Sequence, residues 1–260
     1  MNRCVLLLFA ILLTLLSGCM QPESESDLVK ARRAFINKEY TEAERFYQRY
    51  IRNNETGKER WNAWNNLVEI TRNVWGNKKR AVELLDAMLL EYSGEPERYR
   101  EILLTKGRLY SESGLWQEAI TSWTQLLGAP GVTVEQEAVA YAYLGKAHLM
   151  RGDYGMAVDA YRDCRELAYD DSEHQQMCIY ALAQAYAYLG NFIEAEENLQ
   201  LLLQRENLDT ILLSRAKLLL ADIYEQQDAP VKAISMLLDI QDTYPNPKVI
   251  EFRLQNLRRR

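Results

Sequence analysis

The sequence has few of the residues that mark a catalytic centre. Only 2 histidines occur among its 260 residues, and it contains no glycine-rich phosphate loop, no nucleophile elbow and no HExxH motif. The histidines, His148 and His174, show no paired ligand spacing. We therefore predict a protein that is not an enzyme and has no metal site, no cofactor and no small-molecule substrate.

Glycine and proline are also scarce, at 12 and 6 residues, and basic residues are outnumbered by acidic ones. A hydrophobic fraction of 48% suffices to bury a sizeable core, which argues against a disordered chain. The formal net charge of −6 argues against nucleic acid as a partner. The one basic cluster, residues 258–260, is assigned to the negative end of a last helix.

The N-terminus has the pattern of a processing signal. Arg3 precedes an apolar run at residues 5–16, which is shorter than the roughly 17 to 25 residues that a membrane-spanning helix needs. We interpret this run as the core of a signal peptide, with an uncleaved anchor as the alternative. The next residues, Leu-Ser-Gly-Cys, resemble the lipobox of bacterial lipoproteins. The resemblance implies that Cys19 is acylated, with palmitate as an expected chain, and becomes the first residue of the mature protein.

This resemblance sets the predicted boundaries. Residues 1–18 form a lipoprotein signal peptide, residues 19–26 form the lipidated Cys19 with a short linker, and residues 27–260 form the folded body. Met20 stands where an aspartate would favour inner-membrane retention, so the family's sorting rule implies the outer membrane, facing the periplasm. The inner membrane and a Gram-positive cell membrane are the alternatives. The linker reaches only about 20 Å when extended, so the body is expected close to the membrane surface.

The body repeats with a period of 38 residues. Six alanines keep this step: Ala43, Ala81, Ala119, Ala157, Ala195 and Ala233. Large apolar residues keep it at Tyr47, Leu85, Trp123, Tyr161, Leu199 and Leu237. Glycines keep it at Gly76, Gly114, Gly152 and Gly190, where we expect a left-handed turn after a first helix. Upstream small residues, such as Gly107 and Gly145, are expected to let two helices approach closely.

The repeating unit resembles the tetratricopeptide repeat (TPR), in which Leu-Gly-x-x-Tyr marks a first helix and Ala-x-x-x-aromatic a second. The segments LLTKGRLY and AYLGKAHL carry the first part, and AITSW and AVDAY the second. The resemblance implies an all-α TPR superhelical solenoid of about six helix-turn-helix units. The period departs from the usual 34 residues. Residues 249–258 are predicted to form a C-terminal capping helix.

Two cysteines remain in the mature chain once Cys4 has left with the leader and Cys19 is acylated. Cys164 ends a predicted second helix and Cys178 opens the next first helix, so a hairpin brings them face to face. In an oxidising compartment this arrangement is consistent with a disulfide. Two small buried thiols in a packed core are the equally weighted alternative.

In TPR superhelices the first helices line the concave face, so the resemblance implies that their non-packing positions meet a partner. Each of these positions is also consistent with plain solvated surface. The predicted groove residues are Asn66, Ile70, Asn73, Arg108, Lys146, Tyr180, Gln184 and Tyr188. The mixture of polar and aromatic side chains favours a helix or an extended peptide as the occupant.

These features predict a membrane-anchored scaffold for protein–protein interaction in the bacterial cell envelope, assisting assembly of an outer-membrane or periplasmic complex. The expected partners are proteins or peptides of that complex, and the lipid on Cys19 provides the membrane contact. The alternative is an accessory peptide- or substrate-binding subunit of a secretion, pilus or peptidoglycan-synthesis system. Fold-level analogy does not choose between them.

Overall fold

The structure, a computed structural model, describes residues 26–169 and 172–259, and all regular elements in these ranges are helical. The helices are α1 (Asp27–Ile36), α2 (Tyr40–Asn53), α3 (Lys58–Glu69), α4 (Lys78–Glu91), α5 (Pro96–Glu112), α6 (Trp116–Leu127), α7 (Val134–Arg151), α8 (Tyr154–Leu167), α9 (Glu173–Leu189), α10 (Phe192–Leu203), α11 (Thr210–Gln226), α12 (Pro230–Leu238) and α13 (Pro247–Leu257). A π-helical turn, Ile70–Val74, follows α3.

The contacts within the chain divide it after Leu84 into two compact units. The first unit contains α1, α2, α3, the π-helical turn and the start of α4. The second contains the rest of α4 and the helix pairs α5–α6, α7–α8, α9–α10 and α11–α12, in which each helix packs on the next. The sequence-predicted all-α TPR solenoid is therefore confirmed.

The predicted packing positions form the core. All six repeat alanines are completely buried, because a second helix packs there without room for a longer side chain. The large apolar residues one helical turn later are also buried: Tyr47, Leu85, Trp123, Tyr161, Leu199 and Leu237. The 38-residue register thus places one alanine and one large side chain in the core of every repeat.

The turn after each first helix has the same backbone conformation throughout. Gly76, Gly114, Gly152 and Gly190 have φ between 62° and 81°, as the sequence predicts for left-handed turns. The first and last repeats place other residues at this position, and Lys38 and Asp228 adopt φ of 62° and 55°. Side chains with a Cβ carry a steric cost in this region, and aspartate tolerates it better than lysine.

Two glycines of the first helices allow the close approach that the sequence predicts. A Cβ built on Gly107 would lie 2.6 Å from the Trp123 ring, and one on Gly145 would lie 2.7 Å from the Tyr161 ring. Both rings are buried and have little room to move. The paired helices α5–α6 and α7–α8 are therefore held at a spacing that these glycines set.

We expect Gly145→Ala to lower the free energy of unfolding by about 1–3 kcal/mol, because the added methyl group overlaps the buried Tyr161 ring. The matched control is Gly155→Ala in α8, where nothing lies within 4 Å of the new Cβ. That change is expected to stabilise the protein by up to about 1 kcal/mol through helix propensity. Urea denaturation followed by circular dichroism measures both changes in unfolding free energy. Changes of the same sign would contradict the close packing of Gly145 on Tyr161.

The C-terminal capping helix is also confirmed. On α13, Ile250, Leu254 and Leu257 are buried in the same apolar cluster as the last repeat, while Phe252 on the outer side is exposed. Arg253 forms ion pairs with Glu225 and with Asp222, the latter at 2.7 Å, and so links α13 to α11. The apolar inner side of α13 covers the core of the last repeat and so closes the end of the array.

Candidate functional site

The larger of two neighbouring cavities lies between α9 and α11, and we call it the aromatic cavity. It has a volume of about 570 Å³, and its apolar floor includes Leu218 and Leu219. Three predicted groove residues line it: Tyr180, Gln184 and Tyr188. The Tyr188 side chain is 56% exposed, and its ring stacks on Tyr154 with 5.2 Å between centroids. Stacking holds this exposed ring in place without burying its outer edge.

Charged groups stand at the rim of the aromatic cavity. Arg215 and Asp222 both line it. Loss of solvent raises the pKa of the Asp222 carboxyl, and the guanidinium of Arg253 opposes this shift. Burial also raises the pKa of the Tyr180 hydroxyl, which keeps it a neutral hydrogen-bonding group. The lining provides an apolar floor with polar groups that can orient a ligand, and it contains no nucleophile paired with a base.

The second cavity, which we call the basic cavity, has a volume of about 440 Å³ and is lined by residues from α5, α7, α8 and α9. Two predicted groove residues, Arg108 and Lys146, lie in its wall one repeat apart. Its apolar lining includes Val139, Ala142 and Met177. Arg108 and Lys146 are exposed, and neither forms an ion pair within the part of the chain that the structure describes. This cavity favours a ligand that carries negative charge beside apolar groups.

The remaining predicted groove residues lie in the first unit. Asn66 is half-buried and donates a hydrogen bond of 3.0 Å from its amide to the Tyr47 hydroxyl, and Asn73 is exposed. Ile70 is completely buried, so the prediction that it meets a partner is wrong. Ile70 begins the π-helical turn, whose wider turn breaks the register on which the prediction depended.

The structure joins Cys164 on α8 to Cys178 on α9 by a disulfide, with 5.9 Å between their Cα atoms. The predicted alternative of two free thiols corresponds to the reduced form of the same pair. His174 Nε2 lies 3.7 Å from Cys164 Sγ, and the ligand atoms of these three residues all lie within 4.8 Å of one another. Among the residues that the structure describes, these three lie close enough together to hold a metal ion.

The sequence pattern did not indicate that His174 lies beside the two cysteines, because the two histidines show no paired ligand spacing. Its signal was the spacing of four residues to Cys178, which places both side chains on one side of α9. The contact with Cys164 depends on how the loop between α8 and α9 closes, and the sequence pattern does not specify that path.

Cys19, the proposed site of lipidation, and the signal-peptide segment lie outside the described residues. Among the helices that the structure describes, none combines the length and the apolar character needed to cross a membrane. The membrane anchor therefore stays a prediction from the sequence.

A family model with the description "Tetratricopeptide repeat" matches residues 104–170 and 180–246, which together make up more than half of the chain. The chain belongs to the tetratricopeptide repeat family. No curated protein matches it by sequence. The match leaves out residues 171–179, so His174 and Cys178 lie between the two matched segments of this TPR protein.

Solved TPR structures share the fold at low sequence identity. The structure of PilF from Pseudomonas aeruginosa is 14% identical with a TM-score of 0.57, covering 90% of this chain and 95% of that one. PilW, a widely conserved type IV pilus biogenesis factor, is 15% identical with a TM-score of 0.57, covering 89% and 96%. YrrB, a TPR protein with an unusual peptide-binding site, is 16% identical with a TM-score of 0.60, covering 80% and 97%. At these identities the likeness establishes the fold alone.

Proposed function

We propose that this TPR protein is a non-catalytic scaffold for protein–protein interaction in the bacterial cell envelope. In this proposal a lipid on Cys19 tethers it to the outer membrane on the periplasmic side, and the first helices of its repeats hold the partner. The observation that carries the proposal is the pair of cavities on those helices, which contain five of the eight predicted groove residues.

The chemistry of the cavities favours a peptide segment as the occupant. The aromatic cavity offers exposed ring edges and an apolar floor, which suit aliphatic or aromatic side chains. The basic cavity places Arg108 and Lys146 beside apolar surface, which suits an acidic residue next to an apolar one. The proposed partner segment is therefore apolar with acidic residues, presented as a helix or an extended chain.

A role in pilus assembly is the second candidate within this proposal. It is motivated by PilW, a type IV pilus biogenesis factor whose chain is covered over 96% of its length by this fold. The alternative of a peptide-binding accessory subunit has the same kind of motivation from YrrB and its peptide-binding site. Both candidates share the groove and differ in the identity of the partner.

Tyr188→Ala tests the groove. We expect it to reduce recovery of crosslinked envelope partners, because an aromatic hot spot that a partner buries contributes about 2 kcal/mol, or roughly 30-fold in affinity. The matched control is Tyr169→Ala, since Tyr169 is 76% exposed and lines neither cavity. Quantitative mass spectrometry of captured proteins measures both variants. Equal recovery of the same partners by Tyr188→Ala and the wild type would reject the groove as the binding site.

Cys19→Ala tests the anchor. We expect the variant to lose all incorporation of an alkyne-tagged fatty acid, because the acylated thiol is absent. Cys4→Ala is the matched control, since Cys4 leaves with the proposed leader and its removal should not change labelling. Intact-mass measurement of the purified wild type should show a chain that begins at Cys19 and carries acyl groups. A wild-type chain without acyl mass would show that the lipobox interpretation is wrong.

A further inference from the structure

Cys164, His174 and Cys178 form a cluster of potential metal ligands at the junction of α8 and α9. Cys164 is completely buried and Cys178 is 2% exposed, while His174 is half-buried. Ser172 caps the start of α9 by accepting a hydrogen bond of 3.1 Å from the backbone N–H of Gln175, which fixes the helix turn that carries His174. The cluster is therefore held by two helices and a defined helix start.

The spacing of the cluster fits a tetrahedral zinc site. With Zn–S bonds of about 2.3 Å and Zn–N bonds of about 2.0 Å, two ligand atoms of such a site lie roughly 3.5–3.8 Å apart. Cys164 Sγ and His174 Nε2 are already 3.7 Å apart, and the three ligand atoms all lie within 4.8 Å of one another. In the disulfide the two sulfur atoms are bonded to each other, so they must separate before they can hold an ion. That separation takes rotation about the Cα–Cβ bonds of the two cysteines, both of which are buried.

We propose that the dithiol form of this protein binds Zn²⁺ through Cys164 Sγ, His174 Nε2 and Cys178 Sγ. Two S–Zn bonds and one N–Zn bond form, the two thiols release two protons to solvent, and no electron is transferred. His174 and Cys178 also line the basic cavity, so the fourth position is open to water on that side. This proposal does not depend on the proposed scaffold function, because its test measures metal binding alone.

The zinc site and the disulfide are alternative states of the same two sulfur atoms. The chain is synthesised with thiols, and conversion to the disulfide passes two electrons and two protons to an oxidant of the disulfide-bonded thiol oxidoreductase class. The sulfur atoms of a disulfide are not thiolates and do not hold the ion. Bound Zn²⁺ is therefore expected to slow oxidation, and the disulfide is expected to abolish zinc binding.

The test uses the full chain purified without metal and reduced with a phosphine in the absence of oxygen. Zn²⁺ is titrated against a chromophoric chelator, and Co²⁺ serves as a spectroscopic substitute. We expect one equivalent of Zn²⁺ to bind and Co²⁺ to give the absorption of a tetrahedral site with thiolate ligands. The oxidised wild type should bind neither ion. The cobalt spectrum reports the ligands on the unaltered protein, so the result does not depend on the folding of any variant.

His174→Gln separates the zinc site from the disulfide. It leaves both cysteines in place, so oxidation should still form the disulfide. Loss of a residue that only supports a metal ligand typically lowers metal affinity roughly 10- to 100-fold. Loss of the ligand His174 itself should lower zinc affinity by more than that. His148→Gln is the matched control, because His148 lies on α7 outside the cluster. Three outcomes would overturn the proposal. The reduced wild type would fail to bind one equivalent of Zn²⁺, the oxidised form would bind Zn²⁺ equally well, or both histidine variants would lose zinc affinity equally.

Discussion

Trp123→Ala is expected to lower the free energy of unfolding by about 3–5 kcal/mol, because it removes a large side chain from a fully packed position. Trp123 is completely buried, its ring lies against Gly107, and it stacks on Tyr143 with 4.6 Å between ring centroids. Its indole N–H donates a hydrogen bond of 3.1 Å to Ser111 Oγ, a buried hydroxyl that would lose this partner. Urea denaturation followed by circular dichroism measures the change.

The matched control for this prediction is Trp75→Ala. Trp75 is 47% exposed and its indole donates a hydrogen bond of 3.0 Å to Glu44, so its removal is expected to cost less than about 1 kcal/mol. Repeat proteins can unfold in parts, so the two variants are compared by the midpoint of each resolved transition. Equal shifts for the two tryptophans would show that Trp123 does not hold the core in the way the structure implies.

Reduction of the Cys164–Cys178 disulfide is expected to lower the free energy of unfolding by about 3 kcal/mol, because it releases the closure of a short loop in the unfolded chain. The bond spans a sequence separation of 14 residues and joins α8 to α9, both of which carry cavity residues. Urea denaturation with and without a phosphine reductant, in buffer free of divalent metal ions, measures the change. Mass measurement after thiol alkylation establishes the redox state of each sample.

The control for the disulfide is the double variant Cys164→Ser with Cys178→Ser, whose stability should not respond to reductant. It should resemble the reduced wild type, apart from the cost of placing hydroxyl groups at two buried positions. The alternative of buried free thiols would be favoured by two observations on wild-type protein from an oxidising compartment. Both thiols would be alkylated, and the midpoint of urea denaturation would not change with reductant.

The repeat could be predicted from the sequence because its packing positions recur at a fixed step. A column of alanine or glycine indicates close helix approach wherever it occurs, and Gly107 and Gly145 lie against Trp123 and Tyr161 as the pattern implies. The left-handed turns at Lys38 and Asp228 follow the same step. Lysine does not suggest that conformation, and aspartate adopts it only occasionally. Only the register of the neighbouring glycines indicates it.

The candidate site was predicted less completely, for two physical reasons. A helix register can change within one turn, as at Ile70, where a π-helical turn buries a position that is exposed or half-buried in the other repeats. Side chains from different helices also meet only after the loops have closed, as with His174 and Cys164. Arg108 and Lys146 lie one repeat apart on regular first helices and both line the basic cavity, while their contact with a partner stays a prediction.

The turns at Gly152 and Gly190 have the same conformation, so removal of one whole repeat is expected to leave an intact turn. Both glycines have φ near 80° and stand one period apart, so removal of residues 153–190 would join Gly152 to Asn191 through a turn of the same conformation. Such a deletion would exchange one helix pair for the next without shifting any alanine out of register. Gains or losses of other lengths would move the alanines and the large apolar residues out of that register.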